Sequence, residues 1–175
     1  MNGDPAVPGP LSPAGEEQAR RLGEQLANAT LDACVHTRFE RARRTAELAL
    51  AGRDVPLLEE PGLDDVRIGD LEGDTLEAYR LWKKGNGRKV PFPGGGESLD
   101  DAARRYAAAF RRVLELQYDS VLVVCHELPV RYALNAAAES AELDHPLHAI
   151  PNATPYLFDA AALAAAADRI DQLAD

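Results

Sequence analysis

A three-layer α/β/α sandwich around a mainly parallel sheet is the fold class that this sequence predicts, and three features carry the prediction. Short apolar runs alternate with amphipathic helical stretches along the chain, the order that parallel strand-helix-strand connections require. The run Ser120–Cys125 is apolar without period-two alternation, as befits a strand covered by helices on both faces. At 175 residues and 46% hydrophobic, the chain is long enough for one core and short for two, so a single domain over residues 1–175 is expected.

The elements follow in order. Ser12 before Pro13 starts a helix, because the hydroxyl accepts from a free first-turn amide and proline's fixed φ suits the first position. Ala19, Leu22 and Leu26 form its inward stripe. Ala33–Val35 is a short strand, and Phe39, Ala42, Ala46 and Leu50 are the inward face of a helix stopped at Gly52. Leu57 and Leu58 mark another short strand, and Thr75–Lys84 a short helix ending at Gly85. Gly, Pro and Lys dominate from Gly85 to Gly96, which reads as a surface loop rather than a domain linker. Ser98 caps a long helix, with Asp101 placed for a capping-box-like contact and Leu99, Ala102, Tyr106, Phe110 and Val113 facing inward. After the strand at Ser120–Cys125 come a helix from about Pro129 to Ala138, a last strand at Tyr156–Phe158 and an alanine-rich C-terminal helix.

Charge narrows the function classes. A formal charge of -10 and a pI near 4.9 repel phosphate backbones and anionic headgroups, which argues against nucleic-acid and membrane-surface roles. A small anionic substrate then requires a local cluster of Arg and His. The longest alanine-rich apolar stretch, Ala160–Ala167, falls short of the roughly 18 residues a spanning helix needs. Met1–Pro13 has neither a basic end nor an apolar stretch, and Cys34 and Cys125 make no disulfide framework, so a reducing cytoplasm is the expected compartment. Oligomeric state is left open.

Ligands of open α/β sheets gather at the carboxyl ends of the strands. After the first strand the chain reads His36-Thr37-Arg38-Phe39-Glu40-Arg41-Ala42, leading to Thr45-Ala46-Glu47; after the buried strand it reads Cys125-His126-Glu127. The guanidinium of Arg41 suits phosphate, since its planar donors match the oxygens and it keeps its charge. Beside Arg38, Arg43 and Arg44 it is also readable as part of a solvated basic face. His126 sits before a helix N-terminus, a field that favours anions, and is otherwise a structural strand-end histidine. His145 and His148 share a spacing of three that a metal site could use, but Pro146 between them favours a plain loop. Cys125 reads as a buried strand end rather than a reactive thiolate.

Six short motifs then fall in one order. Arg41-Ala42 with Thr45-Ala46-Glu47, and Val124-Cys125-His126, are joined by Leu11-Ser12-Pro13-Ala14-Gly15 with Gln18-Ala19, by Leu63–Gly73, by Gly96-Glu97-Ser98 and by Pro151-Asn152-Ala153. Together they resemble the histidine phosphatase, or phosphoglycerate mutase-like, superfamily. The resemblance implies that family's sandwich and phosphomonoester chemistry through a phosphohistidine, with no metal or other cofactor. The implied partner is a small phosphorylated molecule or inorganic phosphate. It makes Arg41 the phosphate ligand, His126 the second active-site histidine, which also contacts the phosphate, and Asp65 the acid that protonates the leaving alkoxide. Asp64 and Glu72 remain rival carboxylates, and Glu97 is mainly part of a turn and cap with a weaker substrate-facing reading.

One family feature has no counterpart. The family's first strand ends in Arg-His-Gly or Arg-His-Ala, whose histidine attacks phosphorus, whereas the four histidines here are His36, His126, His145 and His148, and Met1–Pro10 holds neither a strand pattern nor a histidine. His36, on a neighbouring strand end, is a poor substitute for an in-line nucleophile. The resemblance therefore implies a phosphohydrolase whose nucleophile is absent from these residues. A gene model begun too late, a shortened record and a true phospholigand-binding pseudoenzyme are the competing explanations, the first preferred, and a mutase is a further, less favoured reading. Loss of that strand predicts unpaired backbone along Val121–Val124.

Overall fold

The computed structural model describes residues 2–175. Met1, at the head of the stretch read as lacking a leader, lies outside the described residues. Helix α1 (Pro13–Gln25) begins at the expected cap, with Ser12 Oγ accepting from the Gly15 amide at 3.1 Å. Strand β1 (Ala33–His36) leads into α2 (Glu40–Ala49), and β2 (Leu57–Glu59) into two single-turn helices, Pro61–Leu63 and Gly69–Leu71. Next come α3 (Leu76–Gly85), α4 (Leu99–Leu114), β3 (Val121–Val124), α5 (Glu127–Ala137) and α6 (Ala160–Ala174). Ser98 caps α4 as expected, exchanging contacts with both the amide and the carboxylate of Asp101.

The strands form a parallel sheet in the order β2-β1-β3, with Val35 opposite Leu58 on one side and Val123 on the other. Successive residues of β1 point to opposite faces. Cys34 joins Phe39, Ala42, Ala46 and Leu50 in a smaller core under α2, while Val35 joins the larger core with Tyr106, Phe110, Tyr132 and Ile170. Helices α1 and α2 pack together on one side, and α6 packs on α4 and α5 on the other. This is the predicted helix-rich α/β arrangement with a parallel sheet. No described helix is long and apolar enough to cross a membrane.

Two features depart from a closed sandwich. Strand β3 pairs with β1 alone, so its outer edge is unpaired among the described strands. The strand expected at Tyr156–Phe158 does not form; the segment is irregular and Leu157 is 98% exposed. One cause accounts for both: a strand is stable only where a neighbour takes up its backbone groups, and among the described residues no segment lies between β3 and Tyr156–Phe158 to serve either. The space there is a slot of about 980 Å³ in the sheet plane, walled by Leu22 of α1 on one face and by Phe110 and Ala133 of α4 and α5 on the other. At one end it reaches Arg41, Asp65 and His126.

Candidate active site

The rim of the sheet collects the polar groups. Thr37 and Arg38 follow β1, Arg41 lies in the first turn of α2, and His126 is the second of the two residues between β3 and α5, at the cap of that helix. Asp65 comes from the loop beyond the Pro61–Leu63 turn. The Arg41 Nη2 group lies 3.3 Å from His126 Nδ1, 3.4 Å from Asp65 Oδ2 and 3.2 Å from the Asn2 carbonyl. His126 Nδ1 is 3.8 Å from Asp65 Oδ2. Phe39 supports both cation and imidazole: the guanidinium stacks over its ring at 4.2 Å, and the His126 ring meets its edge at 4.6 Å. On its far side, His126 Nε2 contacts Thr37 Oγ1 at 3.0 Å, both side chains buried.

Burial and charge then set the proton affinities. Burial pushes the Asp65 carboxyl up to about 6, against the opposing pull of the Arg41 guanidinium. Burial, reinforced by Arg41 and Arg105, holds His126 down at about 3, so its imidazole is neutral near pH 7. Arg41 is lowered by burial, with Asp65, Glu72 and Asp64 acting against that. The site thus pairs a neutral imidazole with a permanent cation and a carboxyl that titrates near pH 6.

Among the rival carboxylates the structure distributes different partners. Asp64 is buried and taken up by Arg38, accepting from its backbone amide at 3.0 Å and its Nε at 2.6 Å. One oxygen of Glu72 accepts from the Gly3 amide at 2.8 Å, and its other oxygen is buried without a partner. Glu97 is buried beneath the Asp65 loop, accepting from the Arg67 amide and from Arg105. Arg105 in turn donates to the Gly62, Asp64 and Asp65 carbonyls, so the Glu97–Arg105 pair braces the backbone that carries Asp65. Gly69 closes the same loop with φ 55, where a Cβ would collide with the Pro93 carbonyl.

The remaining candidates lie elsewhere. His36 is buried with Nδ1 2.8 Å from the Thr37 carbonyl. His145 and His148 stack edge to face at 4.5 Å in a loop, and among the described residues no group of three or more His, Cys, Asp or Glu is placed to hold a metal ion. Burial pushes the Cys125 thiol up to about 12, so it stays protonated. Thr37 and Arg105 were missed by the sequence reading. Thr37 did carry a signal, a hydroxyl directly after a strand end on the rim that holds Arg41; Arg105 carried none, since besides Glu97 its partners are backbone carbonyls far away in sequence.

Known proteins place this geometry in a family. The chain is 31% identical over 130 residues to the adenosylcobalamin/α-ribazole phosphatase of Escherichia coli K12, covering 69% of the chain and 63% of that relative. The chain thus spans under two thirds of that curated relative's length. It is 32% identical over 152 residues to a 2,3-bisphosphoglycerate-dependent phosphoglycerate mutase of Gloeobacter violaceus, covering 78% of the chain and 65% of the relative. The solved α-ribazole phosphatase of Shigella flexneri superposes with a TM-score of 0.67 at 26% identity, over 80% of this chain and 72% of that one. The profile of the histidine phosphatase superfamily (branch 1) matches residues 4–163, so the chain belongs to that superfamily.

Proposed function

We propose that this domain is the greater part of a phosphomonoester hydrolase that works through a phosphohistidine, on a small phosphorylated molecule and without a metal. The observation that carries the reading is the meeting of Arg41, Asp65 and His126 at the end of β3, where the slot beside that strand also opens. The substrate phosphoryl group lies between Arg41 and His126, where the fixed cation and an imidazole hydrogen bond meet its charge. Asp65, with a carboxyl raised to about 6, holds its proton mainly below that pH and keeps it in only about a tenth of the molecules at pH 7, a fraction large enough to serve the departing alkoxide and far above that of an ordinary aspartate. The nucleophilic histidine comes from a strand beyond the described residues that fills the slot. Phosphatases among the relatives, an α-ribazole phosphatase in particular, support the hydrolase reading, while mutases stand among the relatives as well. Two free cysteines with burial-raised thiols fit a reducing compartment such as the cytoplasm.

The second reading is a phospholigand-binding pseudoenzyme. It is favoured by the position of His36, held to the Thr37 carbonyl, which leaves His126 as the single imidazole of the cluster. Activity on p-nitrophenyl phosphate and calorimetric titration with phosphate separate the readings. Residues 1–175 alone are expected to bind phosphate and to hydrolyse the ester negligibly, and Arg41→Ala to weaken binding by about tenfold or more, as for loss of a charge-assisted hydrogen bond. Phosphate affinity unchanged in Arg41→Ala would make Arg41 a surface residue. Turnover abolished by His36→Ala would make His36 the nucleophile.

A further inference from the structure

We propose that Thr37 is a positioning residue that lets His126 exchange its tautomer when an anion enters the site; this rests on the phosphate-binding reading above. The starting point is the two hydrogen bonds of the His126 ring nitrogens, Nδ1 to Arg41 and Nε2 to Thr37, with Asp65 Oδ2 farther from Nδ1 at 3.8 Å. A guanidinium has only donors, so the 3.3 Å contact from Arg41 Nη2 requires a bare lone pair on Nδ1. The neutral ring then carries its proton on Nε2, which donates to Thr37 Oγ1 at 3.0 Å. That is the wrong tautomer for gripping the phosphoryl group of a phosphomonoester dianion between Arg41 and His126, because Nδ1 would turn a lone pair toward an unprotonated oxygen that also has only lone pairs.

Thr37 removes the obstacle. A hydroxyl both accepts and donates, and Thr37 Oγ1 is fully buried with His126 Nε2 as its hydrogen-bond partner. Once an anion draws Arg41 away from Nδ1, the ring gives its Nε2 proton up to bulk water and takes one from bulk water at Nδ1, so no net proton is gained or lost. The Thr37 hydroxyl then rotates to donate to Nε2. The ring holds one proton before and after, and each ring nitrogen has a partner in both states. An acceptor-only group at position 37 would lock the first tautomer, and an apolar one would leave Nε2 without a partner in either state. The burial that keeps His126 neutral favours tautomer exchange over simple proton uptake.

Nitrogen NMR of the histidine rings tests this directly, since a lone-pair nitrogen resonates far from a protonated one. His126 is assigned by its loss in His126→Gln, and phosphate binding is followed in parallel by calorimetry. Expected are a proton on Nε2 in the free protein and on Nδ1 at saturating phosphate. In Thr37→Ser the exchange persists; in Thr37→Val, with its amide spectrum checked for an intact fold, the exchange is lost and phosphate binds up to about tenfold more weakly. A proton on Nδ1 in the free protein, protonation of both nitrogens on binding, or an exchange that survives in Thr37→Val would each overturn the proposal. Phosphate that binds while the tautomer stays fixed defeats this inference and leaves the phosphatase reading standing, whereas no phosphate binding at all defeats both.

Discussion

Asp65 lies where burial and a guanidinium pull its proton equilibrium in opposite directions, and burial prevails. Its folded value of about 6 lies above the ordinary 3.8, so the folded state holds its proton more tightly than the unfolded one. Below about pH 4 the group is protonated in both states and contributes nothing. As pH rises through about 6 the folded protein must ionise a disfavoured carboxyl, and stability falls. Asp65→Asn is therefore expected to stabilise the fold by about 1–3 kcal/mol at about pH 8, the lower figure reflecting the partial exposure of the carboxyl to solvent. At about pH 4 the gain disappears. Denaturant melts at the two pH values check this, and an equal gain at both would mean that the effect is packing. Arg41→Ala removes the counter-charge and has the opposite sign, since it leaves the carboxylate without the cation that eases its ionisation. The choice between Asp64 and Asp65 was not legible in the sequence, because adjacent residues differ only in the direction the loop turns them. That direction is fixed by Arg38, which holds Asp64, and by Arg105, which holds the carbonyls on either side. Arg41 and His126 were legible because one lies in the first turn of the helix after β1 and the other caps the helix after β3, where short connections leave little loop geometry to place them.

At the scale of elements, β3 is both the most readable strand and the least satisfied. Its apolar run specifies an interior strand, yet Val121, Leu122 and Val123 are only partly buried because one neighbour is lacking. In a parallel ladder alternate amides of a strand point to each side. Half of the β3 amides are thus expected to exchange rapidly with deuterium, while those of Cys34 and His36 in the central strand stay protected, a contrast that hydrogen exchange resolves residue by residue. Uniform protection along Val121–Val124 would mean that the open edge is covered in solution. Tyr156–Phe158 shows the limit of pattern reading: a Tyr-Leu-Phe run has the composition of a strand but becomes one only beside another. The start of α5 was read two residues late for a simpler reason. Pro129 looks like a first residue, but the first helical amides have no intrahelical partner, so proline is tolerated at the third position, and the helix begins at Glu127.

At the scale of the molecule, the slot and the site form one feature. Its walls come from both helical layers, it runs along the whole of β3, and it ends among Arg41, Asp65 and His126. An extended segment parallel to β3 would satisfy the open edge, give Tyr156–Phe158 a neighbour and arrive with its carboxyl end at Arg41. Asn2, whose carbonyl accepts from Arg41, already stands at that end of the slot, where a segment preceding Met1 would enter the described residues. The prediction is that DNA upstream of the Met1 codon encodes in frame a short apolar strand ending in Arg-His. A chain carrying it should unfold several degrees higher, since roughly 2–4 °C accompany each kcal/mol in a domain of this size. It should also protect the Val121–Val124 amides and hydrolyse p-nitrophenyl phosphate. Changing the new histidine to alanine should abolish turnover while keeping the added stability, because the strand's backbone and apolar side chains do the packing and the histidine does the chemistry. Stability without turnover in the unmutated longer chain would leave the strand in its slot and remove the phosphatase reading. A stop codon directly upstream would remove the strand instead, and Arg41 and His126 would then serve phosphate binding alone.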